Sequence, residues 1–385
     1  MKKIITYVLL FLSLFFIIGC TKEVKIKNKT ISHETKFGGI YIEITIDDFN
    51  KSGFSFGDSV DIIFSNGFKL IDLPYFNGYY TNTGEELLVG YPGYPYIRAG
   101  INNGDDLWVK ANLKDTDTAT IKLNTKAKYL ALQEAMDIHY TDIQGDLPDE
   151  VFGNFRAVKI SNLKENILFR SASPVDNQHK RASVVDKLIT DKVNTIINLS
   201  DNDGELIEHI NKEDFNSPYF LSIYNNHHVI ALSMNMNFTS INGEDDNVPK
   251  LFTEYVNQTF GEKLILGLRF MIDNDGPYLV HCVEGKDRTG FVCMILEAIV
   301  GATYDEIIED YMITYNNYYD ITKEKEPSKY NLIKEKNIDT MLKTVIGNDN
   351  VDLKTADYGY YVEQYLINKG MTKEEITVLR NKLSK

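Results

Sequence analysis

The sequence predicts an α/β fold, a parallel-rich sheet flanked by helices, preceded by a small β-rich domain. Three observations carry this expectation. The runs Asn194–Ser200 and Tyr278–Val280 have the short, continuous apolar centres that parallel strands buried on both faces require. Helix-length segments, about 178–191 and 249–273, precede them, so the order of strand, helix and strand implies right-handed crossovers in one sheet, with a ligand crevice beyond the strand C-termini. Ahead of these, residues 37–125 show short alternations (Ile40, Ile42, Ile44; Val60, Ile62, Phe64; Leu87, Val89) broken by turn signals such as Ser65-Asn66-Gly67.

At 385 residues, with 43% hydrophobic and 12% aromatic content, the chain has material for about two buried cores. Its formal charge of -14 argues against a nucleic-acid partner, since a polyanion needs a basic face. Residues 1–20 place Lys2 and Lys3 before an apolar stretch, the layout of an export signal peptide. The last four, Ile17-Ile18-Gly19-Cys20, resemble a bacterial lipobox, which implies cleavage before Cys20 and lipidation of that residue. The expected product is an extracytoplasmic lipoprotein whose partner is a membrane, reached through the lipid anchor; an uncleaved helical anchor is the alternative. Polar, lysine-rich residues 21–36 then read as a tether. Cys282 and Cys293 remain, too few for a disulfide framework, and Cys293, between Val292 and Met294, reads as a small core residue.

Within residues 37–125 a short helix is expected from Ile46 and a closing strand at Trp108-Val109-Lys110-Ala111. Residues 126–153, with a helix over roughly 126–138 and a loop containing Gly145, Pro148 and Gly153, read as a helical linker to a domain spanning 154–385. That domain opens with the strand Ile167-Leu168-Phe169-Arg170-Ser171, and an acidic loop (Asp201, Asp203, Glu205) follows the strand at 194–200. An extended run over 228–234 and a polar loop to Asp246 lead into the helix that delivers the chain to Tyr278. Helices are expected from Tyr304, over 338–345 and over 356–368, and Thr372-Lys373-Glu374-Glu375 is a capping box for the last. No glycine-rich nucleotide loop or metal-ligand spacing appears.

The chemistry concentrates in His281-Cys282-Val283-Glu284-Gly285-Lys286-Asp287-Arg288-Thr289-Gly290, a tight loop between an apolar strand and an apolar helix. A loop that runs into a helix N-terminus turns successive N–H groups toward one point, which binds a phosphate and stabilises a thiolate. Cys282 then qualifies as a nucleophile, the amides of Val283, Glu284 and Gly285 as phosphate ligands, and Arg288 as a planar fork for two phosphate oxygens. Gly285 permits the tight path, Thr289 sits where its hydroxyl can ease thiolate departure, and His281 reads as a brace for the loop.

This signature is similar to that of bacterial tyrosine and dual-specificity protein phosphatases with phosphoinositide activity. Leu168-Phe169-Arg170-Ser171, the strand at Thr195, Tyr304 to Tyr311 and the tail from Gly370 resemble that family's stations in order, over about residues 154–385. The resemblance implies a cysteine-phosphatase-like sheet, a Cys282 phosphoenzyme with Arg288 on the phosphoryl group, Lys286 and Asp287 at the pocket mouth, Arg170 on the pocket side, and no metal or other cofactor. For the general acid, Asp287 is favoured by resemblance, with Asp245 or Asp246 and Asp201 or Asp203 as alternatives. The implied substrate is a phosphorylated protein; the alternative, an inositol phosphate or phosphoinositide, would use Lys286, Arg170 and the run His179-Lys180-Arg181 for additional phosphates.

Overall fold

A closed barrel and a five-stranded mixed sheet organise the described residues of the computed structural model, 23–35, 38–81, 84–102, 104–234, 260–348 and 350–385. They fall into two units, divided near Leu130. The signal peptide with Cys20, and both Asp245 and Asp246, lie outside the described residues.

The first unit holds strands β1 (Lys25–Glu34), β2 (Gly39–Ile42), β3 (Ser59–Phe64), β4 (Lys69–Phe76), β5 (Glu86–Val89), β6 (Ile97–Ile101) and β7 (Thr118–Thr125), closed in the order β1-β2-β6-β5-β4-β3-β7. The alternation read in the sequence is the inward face: Ile40, Ile42, Val60 and Ile62 are fully buried. Closure leaves no unpaired sheet edge. Helix α1 (Ile46–Lys51), capped by Thr45, seats Phe49 against Phe54 with ring centroids 4.1 Å apart.

Two expectations fail here. Residues 25–34 of the supposed 21–36 tether form β1, which pairs with both β2 and β7. Only Ile31 of this strand is buried, so it is held by backbone ladders rather than by an apolar face, and its polar composition conceals it. The segment at Trp108 is not a strand but the short helix α2 (Leu107–Lys110), because Asp106 caps it by accepting from Val109 N at 3.2 Å; Leu107 and Trp108 turn inward, and closure falls to β7.

Helices α3 (Leu130–Met136) and α4 (Asp149–Phe152) precede the second sheet. Residues 126–153 are not a free linker: from Ala131 the chain belongs to the second unit, where Tyr140 stacks on Tyr318 at 4.8 Å and Thr141 O accepts from Arg181 at 2.7 Å. The chain then runs β8 (Arg156–Ala157), β9 (Leu168–Ser171), α5 (Ala182–Ile189), β10 (Thr195–Asn198), α6 (Asp203–Ile210), α7 (Pro218–Asn225), β11 (Val229–Ala231), α8 (Gly261–Asp273), β12 (Tyr278–His281) and α9 (Asp287–Ile299). Helices α10 (Tyr304–Tyr319), α11 (Pro327–Lys334), α12 (Thr340–Ile346), α13 (Tyr358–Asn368) and α14 (Lys373–Leu383) complete it, with capping boxes opening α6, α10 and α14.

The sheet order is β11-β10-β12-β9-β8, parallel except for the edge pairing of β8 with β9. Both faces are covered: Phe169, Ile196 and Leu279 pack with α5 and α7, while Leu168, Ile197 and Val280 pack with α8 and α9. Side-chain alternation along each strand assigns them to opposite layers. In register, Asn198, His281 and Ser171 end three adjacent strands, so whatever follows His281 emerges at the centre of the crevice.

Candidate active site

Cys282 follows central strand β12 and is 3% exposed, and residues 283–286 loop over it before α9 begins at Asp287. Every carbonyl of that loop is taken from outside. Ser173 N donates to Val283 O at 3.1 Å and Tyr318 Oη to Glu284 O at 2.6 Å, while Asn154 Nδ2 lies 3.2 Å from both Glu284 O and Gly285 O. Arg170 Nη2 donates to Gly285 O at 3.0 Å and to Lys286 O at 3.3 Å. The amides of Val283, Glu284, Gly285 and Lys286 donate to no protein acceptor among the described residues. Backbone donors left unpaired in a half-buried loop are costly unless an acceptor arrives, and these four lead directly into the N-terminus of α9.

Gly285 is required twice over. Its φ is +67°, and a Cβ there would stand 2.1 Å from Ser171 O, so the loop lies directly against the end of β9. Gly290 does the same for α9, where a Cβ would meet the Tyr311 ring of α10 at 2.5 Å. These close contacts fix the loop between β9 and α10.

Arg170, expected on the pocket side from the resemblance, is placed behind the loop instead. It is 1% exposed and lies behind the loop, where its guanidinium pairs with Asp310 and holds the two loop carbonyls. Arg156 Nε also reaches Asp310, at 2.9 Å, and Arg156 Nη1 reaches Asn154 Oδ1 at 3.0 Å. Against burial, the two guanidiniums hold the Asp310 carboxyl well below the usual range, while burial and the neighbouring Asp310 push Glu297 well above it. Burial likewise raises the Cys293 thiol, which is fully enclosed in α9 and is a core residue.

At the mouth, Lys286 Nζ stands 3.2 Å from Glu284 Oε2 and 3.8 Å from Asp287 Oδ2. Burial alone would lower that ammonium's pKa, but Asp287, the nearby tyrosines and Glu284 hold it well above its ordinary value. The Asp287 carboxyl is raised by burial despite Lys286, and Tyr311 Oη contacts it at 3.4 Å. The Arg288 guanidinium has no carboxylate partner among the described residues, only a long 3.4 Å bond to Met234 O. Thr289 Oγ1 is fully buried with no hydrogen-bond partner among them. His281 is fully buried and burial lowers its pKa, so a neutral ring braces the strand end with Nδ1 3.4 Å from Cys282 O.

Of the other acid candidates, Asp201 is 5% exposed and committed: its carboxylate accepts from Asn198 Nδ2 at 2.8 Å and lies 3.6 Å from His209 Nε2. Asp203 is exposed in the first turn of α6. The bracing set of Asn154, Arg156, Asp310 and Tyr318 was not legible in the sequence. A charged residue on the inner stripe of an amphipathic helix, as Asp310 is in α10, was the one available signal.

A family model described as the tyrosine phosphatase family matches residues 152–385, the stretch that builds this sheet, the Cys282 loop and its braces. No curated protein matches the sequence. Because the match covers more than half of the chain and contains its whole candidate site, the chain belongs to the tyrosine phosphatase family.

Proposed function

We propose that this phosphatase works without a metal, through a phosphocysteine on Cys282, and acts as a protein tyrosine or dual-specificity phosphatase. The observation that carries the reading is the run of four loop amides after Cys282 that have no protein acceptor among the described residues, while their carbonyls are all held from outside. Cys282 Sγ attacks phosphorus and forms the S–P bond as the P–O bond to the leaving group breaks. Arg288 and the loop amides stabilise the equatorial oxygens. Asp287, raised by burial, gives its proton to the leaving oxygen, and its carboxylate then takes a proton from the water that attacks the phosphocysteine. The sulfur leaves as a thiolate, to which the unpartnered Thr289 hydroxyl can donate.

The acid assignment is tested by Asp287→Asn. Turnover of a phosphotyrosine peptide should fall by about 10²–10⁴-fold, with a smaller loss for an activated aryl phosphate whose leaving group needs no proton. Since the acid must hold its proton, the wild-type rate falls as pH rises through the elevated Asp287 pKa, and that alkaline limb disappears in the variant. Equal losses on both substrates would remove Asp287 from the role.

Commitment of the local cations supports a single-phosphate substrate over an inositol polyphosphate. Lys286 is paired with Glu284, Arg170 lies behind the loop, and Arg181 is 3% exposed and bonded to Phe152 O, Thr141 O and Asp142. We further propose that Cys20 carries a lipid that holds the enzyme at a membrane outside the cytoplasm, the support being the lipobox-like sequence. Metabolic labelling with a fatty acid should mark the wild type and not Cys20→Ala; a wild type that takes up no label would reject the lipid anchor.

A further inference from the structure

We propose that Glu284 is a specificity-determining residue: its carboxylate occupies the Lys286 ammonium and so bars substrates that carry a second phosphate beside the reacting one. The inference rests on the phosphatase reading above and deepens it by naming the substrate class that the loop rejects. Lys286 is the cation of the pocket mouth, next to the amides that receive the first phosphate, and a neighbouring phosphate on a ring substrate would look for it. It is not available. Glu284 Oε2 lies 3.2 Å away.

The pairing is built rather than incidental. Glu284 is 29% exposed at the side chain, and its carbonyl is fixed by Tyr318 Oη at 2.6 Å. Tyr140 stacks on Tyr318 at 4.8 Å, and Lys286, with Tyr140 nearby, holds the Glu284 pKa below the ordinary value, against burial. Asp287 Oδ2 also faces the ammonium, at 3.8 Å, so Glu284 is the nearer of its two carboxylates. A second phosphate must then displace Glu284 from Lys286 and meet a like charge a few ångströms away.

The test needs no turnover, so it separates this inference from the catalytic one. In a Cys282→Ser background, titration calorimetry gives dissociation constants for inorganic phosphate and for a soluble inositol trisphosphate, with and without Glu284→Gln. Removing one charge at this range in a partly solvated site shifts the preference for the trisphosphate over phosphate by about tenfold. Adding Lys286→Met should return the ratio to its starting value. An unchanged ratio, a gain that survives loss of Lys286, or loss of inorganic phosphate binding in Glu284→Gln would each overturn the proposal, the last by making Glu284 a structural brace of the loop. Absence of phosphate release from aryl phosphates by the wild type would instead strike the catalytic reading.

Discussion

Replacing Cys282 by serine should take phosphate release to background, a loss of at least about 10⁴-fold, while phosphate still binds. A serine hydroxyl is far less acidic than a thiol, and amides at a helix N-terminus, which can stabilise a thiolate, cannot ionise it at neutral pH. The side chain is buried and changes little in volume, so the fold should hold. The loop amides are left intact, which separates binding from chemistry. Steady-state assays on a phosphotyrosine peptide without added metal, paired with phosphate titration of the variant, check both halves. Turnover that survives the substitution would mean that the nucleophile lies elsewhere.

Arg288→Lys should cost about 10²–10³-fold in kcat although charge is conserved. The planar fork can hold two equatorial oxygens as charge develops on them, whereas an ammonium is a single point charge. Arg288 has no carboxylate partner among the described residues, so the substitution breaks no ion pair and thermal stability should barely move. A loss confined to KM would show that Arg288 only helps substrate to bind. A large fall in stability would make it a structural residue.

The sequence disclosed what depends on local pattern. The continuous apolar centres at Thr195 and Tyr278 became adjacent parallel strands because burial on both faces leaves that signature, and the loop residues from Cys282 to Thr289 came out at their joint ends. What it hid depends on long-range partners. Arg170 looked like a pocket cation because a strand-end arginine has no visible partner until Asp310, far along the chain, is folded against it. Asn154, which holds two loop carbonyls, carries no sequence mark at all. β1 was concealed because its neighbours hold it by backbone bonds, and α2 because four residues decide between helix and strand on a cap supplied by Asp106.

The Glu284–Lys286 pair also changes how the loop is read. From the sequence, a lysine beside the phosphate-binding turn points toward multiply phosphorylated rings. With its charge matched inside the loop, the same lysine faces Glu284 at 3.2 Å and Tyr319 Oη at 3.4 Å.

Covalent phosphorylation of Cys282 is the step on which the whole mechanism stands. Acid quench of the enzyme within its first turnover on an aryl phosphate, followed by peptide mass spectrometry, tests this directly. One phosphoryl group is expected on the peptide carrying Cys282, more abundant when leaving-group chemistry is fast and absent from Cys282→Ser. Turnover with no phosphoryl group on that peptide, or with one on another residue, would contradict it.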